Sequence, residues 1–213
     1  MSLPHFFLRE QVLAFESAPV FALHLDADDT KHAKVLRLAV GEHIAVVDAV
    51  SDYFECEIVS FEGDELSVSI AQKLSSYARP EVVLVQGLAK GEKMDTIVRH
   101  ATEVGIAEFV PMTTSRSVVK LDAKKSKARF ERWASIAKSA AMQSGRSSKP
   151  VVHAPCSVAG AVDIAKDCDA VLICWEEAEL SSTLAEAVSC CIAATGKDPR
   201  SLRIALVVGP EGG

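Results

Sequence analysis

The chain has 213 residues, 49% of them hydrophobic, and a formal net charge of −6. That is enough apolar material to pack one large domain or two small ones, and it excludes disorder as a global state. No apolar run approaches the roughly 18 residues of a membrane span, and the start MSLPHFFLRE lacks the basic flank and apolar stretch of a secretory signal.

The six cysteines, Cys56, Cys156, Cys168, Cys174, Cys190 and Cys191, form no C-x-x-C pair and have no histidine at metal-ligand spacing. They read as buried, inert thiols of a reducing compartment, here the cytoplasm, and no metal site is expected. The net charge hides an uneven distribution. Between Gln86 and Lys149 there are 13 Lys/Arg against 6 Asp/Glu, and within that window Ser115 to Lys149 carries 10 basic and 2 acidic side chains. A basic island in an acidic chain is an electrostatic footprint for a polyanion such as RNA. From charge alone, a solvated helix face accounts for it equally well.

In chain order, short strand-like runs come first: Val20 to Leu25, His43 to Asp48, Tyr53 to Phe61 and Glu65 to Gln72, separated by Gly41 and Glu62-Gly63-Asp64. One short helix is predicted over Thr30 to Leu38, with an acidic start at Asp28-Asp29. Several short strands and one helix in about 80 residues suggest a small β-barrel. The helix carries His32, Lys34 and Arg37, a candidate RNA-binding rim or simply a solvated face.

The pattern changes at Arg79-Pro80. Glu81 to Val85 is a continuous apolar strand, Gly91 to Gly105 a helix with Met94, Ile97, Val98, Ala101 and Val104 at helical spacing, and Glu108 to Val110 a second strand. A long helix covers Ala123 to Gln143; strands follow at Val151-Val152, Ala170 to Trp175 and Arg203 to Val208, with helices near Val158 to Lys166 and Ser182 to Ala194. Strands that are apolar throughout are buried on both faces, hence parallel and sandwiched by helices. The expected division is 1–76 for the barrel and 81–213 for an α/β domain.

In open α/β sheets ligands bind beyond the carboxyl ends of the strands. That rule selects "ICWEEAE" after the strand at 170 and "GPEGG" after the last one. "GLAKGEK" fails the P-loop pattern, and no G-x-G-x-x-G exists. In GPEGG, glycines let backbone approach a ligand and Pro210 fixes one φ angle. A tight turn without a ligand fits the same residues.

Four blocks in order, "GLAKGEKMDTIVRHATEVGI", "PMTTSRSVVK", "RWASIAKSAAMQSGR" and "LVVGPEGG", resemble the signatures of the bacterial 16S ribosomal RNA uridine-N3 methyltransferases. That family belongs to the SPOUT class, which folds its S-adenosylmethionine site as a trefoil knot. "HAKVLRLAVGEHIAVVDA" resembles the start of the family's PUA-like RNA-binding domain. The resemblance implies a PUA-like barrel followed by a parallel-sheet α/β domain with a knot, forming a cytoplasmic homodimer. It implies methylation of uridine N3 in 16S ribosomal RNA of the small subunit, with S-adenosylmethionine as donor and no metal. It also implies a segment after GPEGG that completes the knot and the donor pocket, and on that expectation the chain stops short of it.

By the same resemblance Arg116 and Arg146 are the catalytic candidates. Leu172, Trp175, Gly209, Pro210, Glu211, Gly212 and Gly213 are the donor-binding candidates. Arg37, Lys90, Lys93, Lys120 and Lys124 are the RNA-binding candidates; the two lysines near Gly91 lie at a helix start, where anions bind, and a solvated surface charge accounts for each equally well. One departure stands out: Met142 occupies the place before Gln-x-Gly-Arg where the family usually has an acidic residue. A general base is not evident. The rival reading is a non-catalytic RNA-binding protein on an α/β scaffold.

Overall fold

The structure, a computed structural model, describes residues 3–75, 78–115, 122–175 and 183–210. Contacts divide the chain into two compact units, Met1–Tyr77 with Ala141–Ser148, and Ala78–Ala140 with Lys149–Gly213.

The first unit is a mixed five-stranded sheet. Its strands are β1 (His5–Phe7), β2 (Phe21–Ala22), β3 (His43–Val47), β4 (Tyr53–Glu62) and β5 (Glu65–Leu74), with helix α1 (Ala27–Leu36) between β2 and β3. The spatial order is β1-β3-β4-β5-β2; β1 pairs parallel to β3 and the other pairs are antiparallel. Strand β1 escaped the sequence reading because three residues leave no alternation to detect. Phe6, Ile44, Val46, Phe54, Ile58, Leu66 and Val68 form one core, and Leu23 beyond β2 joins Phe6 from the opposite edge strand in it. Pairing among the described residues leaves β1 and β2 as edges, so the sheet wraps a common core without a ladder that closes it.

Helix α1 starts earlier than the acidic pair suggested. Asp26 is its N-cap, accepting from the backbone N–H of Asp29, as short acidic side chains do at helix starts. It also ends earlier, at Arg37, which takes the left-handed conformation with φ 55°. The Leu38 N–H returns to the Ala33 carbonyl and the Arg37 N–H to that of Lys34, the Schellman pattern. Leu38 and Ala33 both enter the core.

The second unit is an all-parallel sheet with helices on both faces. In chain order it comprises β6 (Glu81–Gly87), α2 (Lys93–Val104), β7 (Glu108–Thr113), α3 (Ala123–Gln143), β8 (Val151–Val152), β9 (Cys156–Ser157), α4 (Val158–Ala165), β10 (Ala170–Cys174), α5 (Leu184–Thr195) and β11 (Arg203–Val208). The order is β10-β11-β6-β7-β8, with β9 also on β7. Met94 and Val98 of α2, and Trp133 and Ala137 of α3, pack on Leu84 and Phe109; Ala161 and Ala165 of α4 pack on Val83, Val85 and Val110 of the other face. Helix α5 covers Ala170, Leu172 and Ile204.

Strand β10 departs from the expectation of two buried faces. It is the edge strand, and Val171 and Ile173 alternate to the face of α4, which does not reach them; Ile173 is 70% exposed. The expected burial of all six thiols is corrected as well: Cys174, at the end of this edge strand, and Cys190, on the outer side of α5, are exposed, while Cys156 and Cys168 are partly buried. Cys56 and Cys191 are buried, and burial pushes the Cys56 thiol up to about 12. No group of metal-binding side chains occurs among the described residues, and no described helix is long and apolar enough to cross a membrane.

Candidate active site at the carboxyl edge of the parallel sheet

The chain leaves β6 toward β7 and β8 on one side, then returns on the other side through β10 to insert β11 beside β6. Strands β6 and β11 therefore lie side by side inside the sheet with their carboxyl ends at one edge, the edge at which open α/β sheets bind ligands. Gln86 and Gly87 end β6; Val208, paired with Gln86, ends β11 and leads into Gly209-Pro210.

The two strand ends are fastened together. The Gln86 side chain, only 6% exposed, donates through Nε2 to the carbonyls of Gly87 at 3.1 Å and Gly209 at 3.3 Å. Gly87 is required by proximity. A Cβ there would lie 2.6 Å from Cδ of Pro210 and 2.8 Å from the carbonyl carbon of Gly209, and closer still to the Pro210 nitrogen, distances that no relaxed packing allows. The loop after β6 stays attached to β7 through the Leu88 N–H and the Met112 carbonyl at 2.9 Å. Gly91 then turns with φ 65° into α2.

The donor candidates divide. Gly209, Pro210 and Trp175 lie at this one edge, since Cys174 pairs with Val208 and Trp175 follows directly, 62% exposed. Leu172 does not reach it: it sits in mid-strand opposite Leu206, its side chain in the cluster with Cys191 and Ile204. Glu211, Gly212 and Gly213 lie outside the described residues, as do Arg116 and Lys120. Lys90 precedes the Gly91 turn and Lys93 opens α2, both exposed. Lys124 is exposed on the first turn of α3, and Arg37 is exposed at the end of α1 in the first unit. Arg146 follows the last turn of α3, in the segment that groups with the first unit.

Three features were not read from the sequence. Gln86-Gly87, the partner of Gly209-Pro210, is one; its only sequence signal is a polar residue and a glycine closing an apolar strand. The second is Asp95 in α2, 6% exposed. It accepts from Nε of Arg132 at 2.8 Å, from Nη2 of Arg132 at 2.5 Å and from the Trp133 indole at 3.0 Å. Hydrogen bonds from Arg132 hold the Asp95 carboxyl below its usual range, and the pair locks α2 to α3. The third lies at the opposite, amino edge of the sheet. There Arg203 pairs with Glu81 at 2.8 Å and with Glu108, while His153 meets Glu108 at 2.6 Å. This charged girdle ties the starts of β6, β7 and β11 at the edge opposite Gly87 and Gly209.

A family model described as an RNA methyltransferase domain matches residues 77–213. A Bacillus subtilis protein named ribosomal RNA small subunit methyltransferase E is 33% identical over 201 residues, covering 93% of this chain and 76% of that protein. Its namesake from Mycobacterium tuberculosis is 30% identical over 195 residues, 89% of this chain and 70% of the relative. The chain belongs to this ribosomal RNA small subunit methyltransferase E family. Among solved structures, a Legionella pneumophila protein described as a methyltransferase in complex with S-adenosylmethionine matches with a TM-score of 0.77 and 25% identity, over 100% of this chain and 82% of that one. The Neisseria gonorrhoeae ribosomal RNA small subunit methyltransferase E, solved bound to S-adenosylmethionine, shares the fold with a TM-score of 0.77 at 24% identity, over 99% of this chain and 81% of that one.

Proposed function

We propose that this protein transfers the methyl group of S-adenosylmethionine to N3 of a uridine in the 16S ribosomal RNA of the small subunit. The observation that carries this is the close approach of Gly87 to Gly209-Pro210 at the carboxyl ends of β6 and β11, in a chain of this family. The residues there suit such a donor. A site at the end of two parallel strands that excludes side chains leaves main-chain groups to meet an adenosine or methionine moiety. Gly209, Pro210 and Trp175 would line it, with Glu211, Gly212 and Gly213 continuing the turn. Leu172, in mid-strand, supports β10 beneath the site and does not line it. S-adenosylmethionine, when bound, supplies an electrophilic methyl on a positively charged sulfur.

The chain's residues have three tasks. Uridine N3 bears a proton, so the base must be unpaired and its anion favoured as N3 displaces the sulfur from the methyl carbon. The N3–C bond forms, the C–S bond breaks, and the N3 proton leaves to solvent. Arg116 and Arg146 are assigned to the target nucleotide, where a fixed guanidinium favours the uridine anion. Lys90 and Lys93 hold phosphate, and Lys120, Lys124 and Arg37 track the RNA backbone. The first unit is the PUA-like RNA-binding module and the second the knotted SPOUT module of a cytoplasmic homodimer. The exposed Val158, Val162, Val171 and Ile173 are the apolar surface such pairing would cover.

The test is transfer of tritium from methyl-labelled S-adenosylmethionine to unmodified small-subunit RNA, with the product nucleoside identified by mass spectrometry. N3-methyluridine is expected, and Arg146→Ala should lower turnover about a hundredfold. RNA binding with no transfer would establish the non-catalytic alternative; methylation at another atom would refute the assignment to N3.

Arg37 offers a separate check. A non-glycine residue in the left-handed region is disfavoured by about 1 kcal/mol or more, so Arg37→Gly should stabilise the first unit by roughly 0.5–1 kcal/mol. If the guanidinium contacts a phosphate, the same change should weaken RNA binding and reduce the salt slope by about one. Chemical denaturation and filter binding at several salt concentrations read the two signs. Tighter or unaltered RNA binding would remove Arg37 from the interface.

A further inference from the structure

Among the described residues, helices α1, α2 and α3 end in the Schellman reversal, and the third breaks its rule. In the Schellman pattern a left-handed residue follows the helix, and the residue after it packs an apolar side chain back on the last turn. Helix α1 ends with Leu38 in that place, against Ala33 in the core. Helix α2 ends with Gly105 at φ 101°, and Ile106, whose N–H returns to the Ala101 carbonyl at 3.1 Å, joins Ala101 against the core. Helix α3 ends with Gly145 at φ 66°; the Arg146 N–H returns to the Ala141 carbonyl at 3.0 Å and the Gly145 N–H to that of Met142 at 3.4 Å. Here the place of the apolar residue is taken by arginine.

Apolar residues of the last turn anchor this helix end. Ala141 is fully buried with Phe7 and Val47 on the outer face of the first sheet. Met142 packs against that cluster and also against the main core of the first unit. The thioether thus grips two apolar clusters where a carboxylate would be desolvated. The last turn of α3 is fixed from below by Ala141 and Met142, and its backbone is reversed by Gly145, one residue before the guanidinium.

The geometry points to Gly145 and Met142 as positioning residues for Arg146: together they set the direction from which the guanidinium is delivered. This rests on the reading above that Arg146 touches the target nucleotide. Neither residue is assigned a contact with the substrate; each acts through Arg146. A displacement on the scale of 1 Å at a reacting group lowers turnover by up to about a hundredfold, so Gly145→Val, which forces a β-branched residue into the left-handed region, should act on chemistry more than on ground-state binding.

The experiment is a double-mutant cycle on turnover, with donor affinity and thermal stability measured in parallel. Gly145→Val should lower kcat tenfold or more and leave the Kd for S-adenosylmethionine within about twofold. Gly145→Asn, which tolerates the left-handed conformation, should restore most of the turnover. Met142→Ala should give a smaller loss in the same direction. In an Arg146→Ala background, Gly145→Val should have no further effect on kcat, because the group it positions is gone. If Gly145→Val lowers kcat by the same factor in that background, or if Gly145→Asn fails as badly as Gly145→Val, the positioning role is overturned. If Arg146→Ala alone leaves kcat unchanged, the assignment of Arg146 to the nucleotide fails instead. Should Gly145→Val not fold, Met142→Ala carries the cycle with the same outcomes.

Discussion

Gly87→Val should lower the affinity for S-adenosylmethionine about a hundredfold and leave the first unit folded. The expectation follows from distance: even the first carbon of a side chain at 87 would stand 2.6 Å from Cδ of Pro210 and 2.8 Å from the Gly209 carbonyl carbon. All of these are atoms of one short loop, tethered through the Gly209 carbonyl to the Gln86 amide. The loop must move away from β6, and the proposed backbone contacts to the donor move with it. Overpacking of this kind costs about 1–3 kcal/mol of stability, within what the second unit can absorb, while loss of two aligned hydrogen bonds to the donor lowers affinity about a hundredfold. Calorimetry with the donor and a thermal scan of the same sample separate the two effects. Gly87→Ala should show the same loss in weaker form. Wild-type affinity in Gly87→Val would mean that Gly209-Pro210 is not part of the pocket.

Asp95→Ala lowers the stability of the second unit by about 3 kcal/mol. It deletes both hydrogen bonds to Arg132 and leaves the buried Trp133 indole N–H without its acceptor. For a unit of this size the fall in Tm is roughly 10 °C. The pH dependence has a definite sign. Asp95 has its folded value depressed below 3.8, chiefly by the hydrogen bonds from Arg132. Its contribution is therefore fully present above that unfolded value and is lost as the pH falls through the lower, folded one. The stability gap between wild type and Asp95→Asn should be constant near neutrality and narrow below about pH 4. A gap that widens on acidification would show that Asp95 is not held as the anion.

The order of elements was legible because strand and helix periods differ so clearly in this sequence. Helix α3 was readable from Ala123 to Gln143, since its apolar positions recur at helical spacing up to the Gly145 stop. β6 and β11 were legible as continuous apolar runs. β10 was legible as a strand but not as an edge: Val171, Ile173 and Cys174 have the composition of a buried strand, and only the sheet order leaves them uncovered. GPEGG could be placed at a strand end, whereas its fastening to Gln86-Gly87 depends on two strands distant in sequence becoming neighbours. The same holds for Asp95, a carboxylate on an amphipathic helix until Arg132 and Trp133 of α3 arrive beside it. Met142 read as a departure from a family motif; its meaning is the pair of apolar clusters it bridges. Local rules captured the elements; the Asp26 cap, the Arg37 reversal and the pairings made by topology lay beyond them.

The most direct measurement is mass mapping of small-subunit ribosomal RNA from cells lacking this gene, beside RNA from the parent strain. One N3-methyluridine in 16S ribosomal RNA should be missing, and it should return when the gene is restored. The same methyluridines at the same occupancy in both strains would contradict the assignment of this protein as the uridine-N3 methyltransferase.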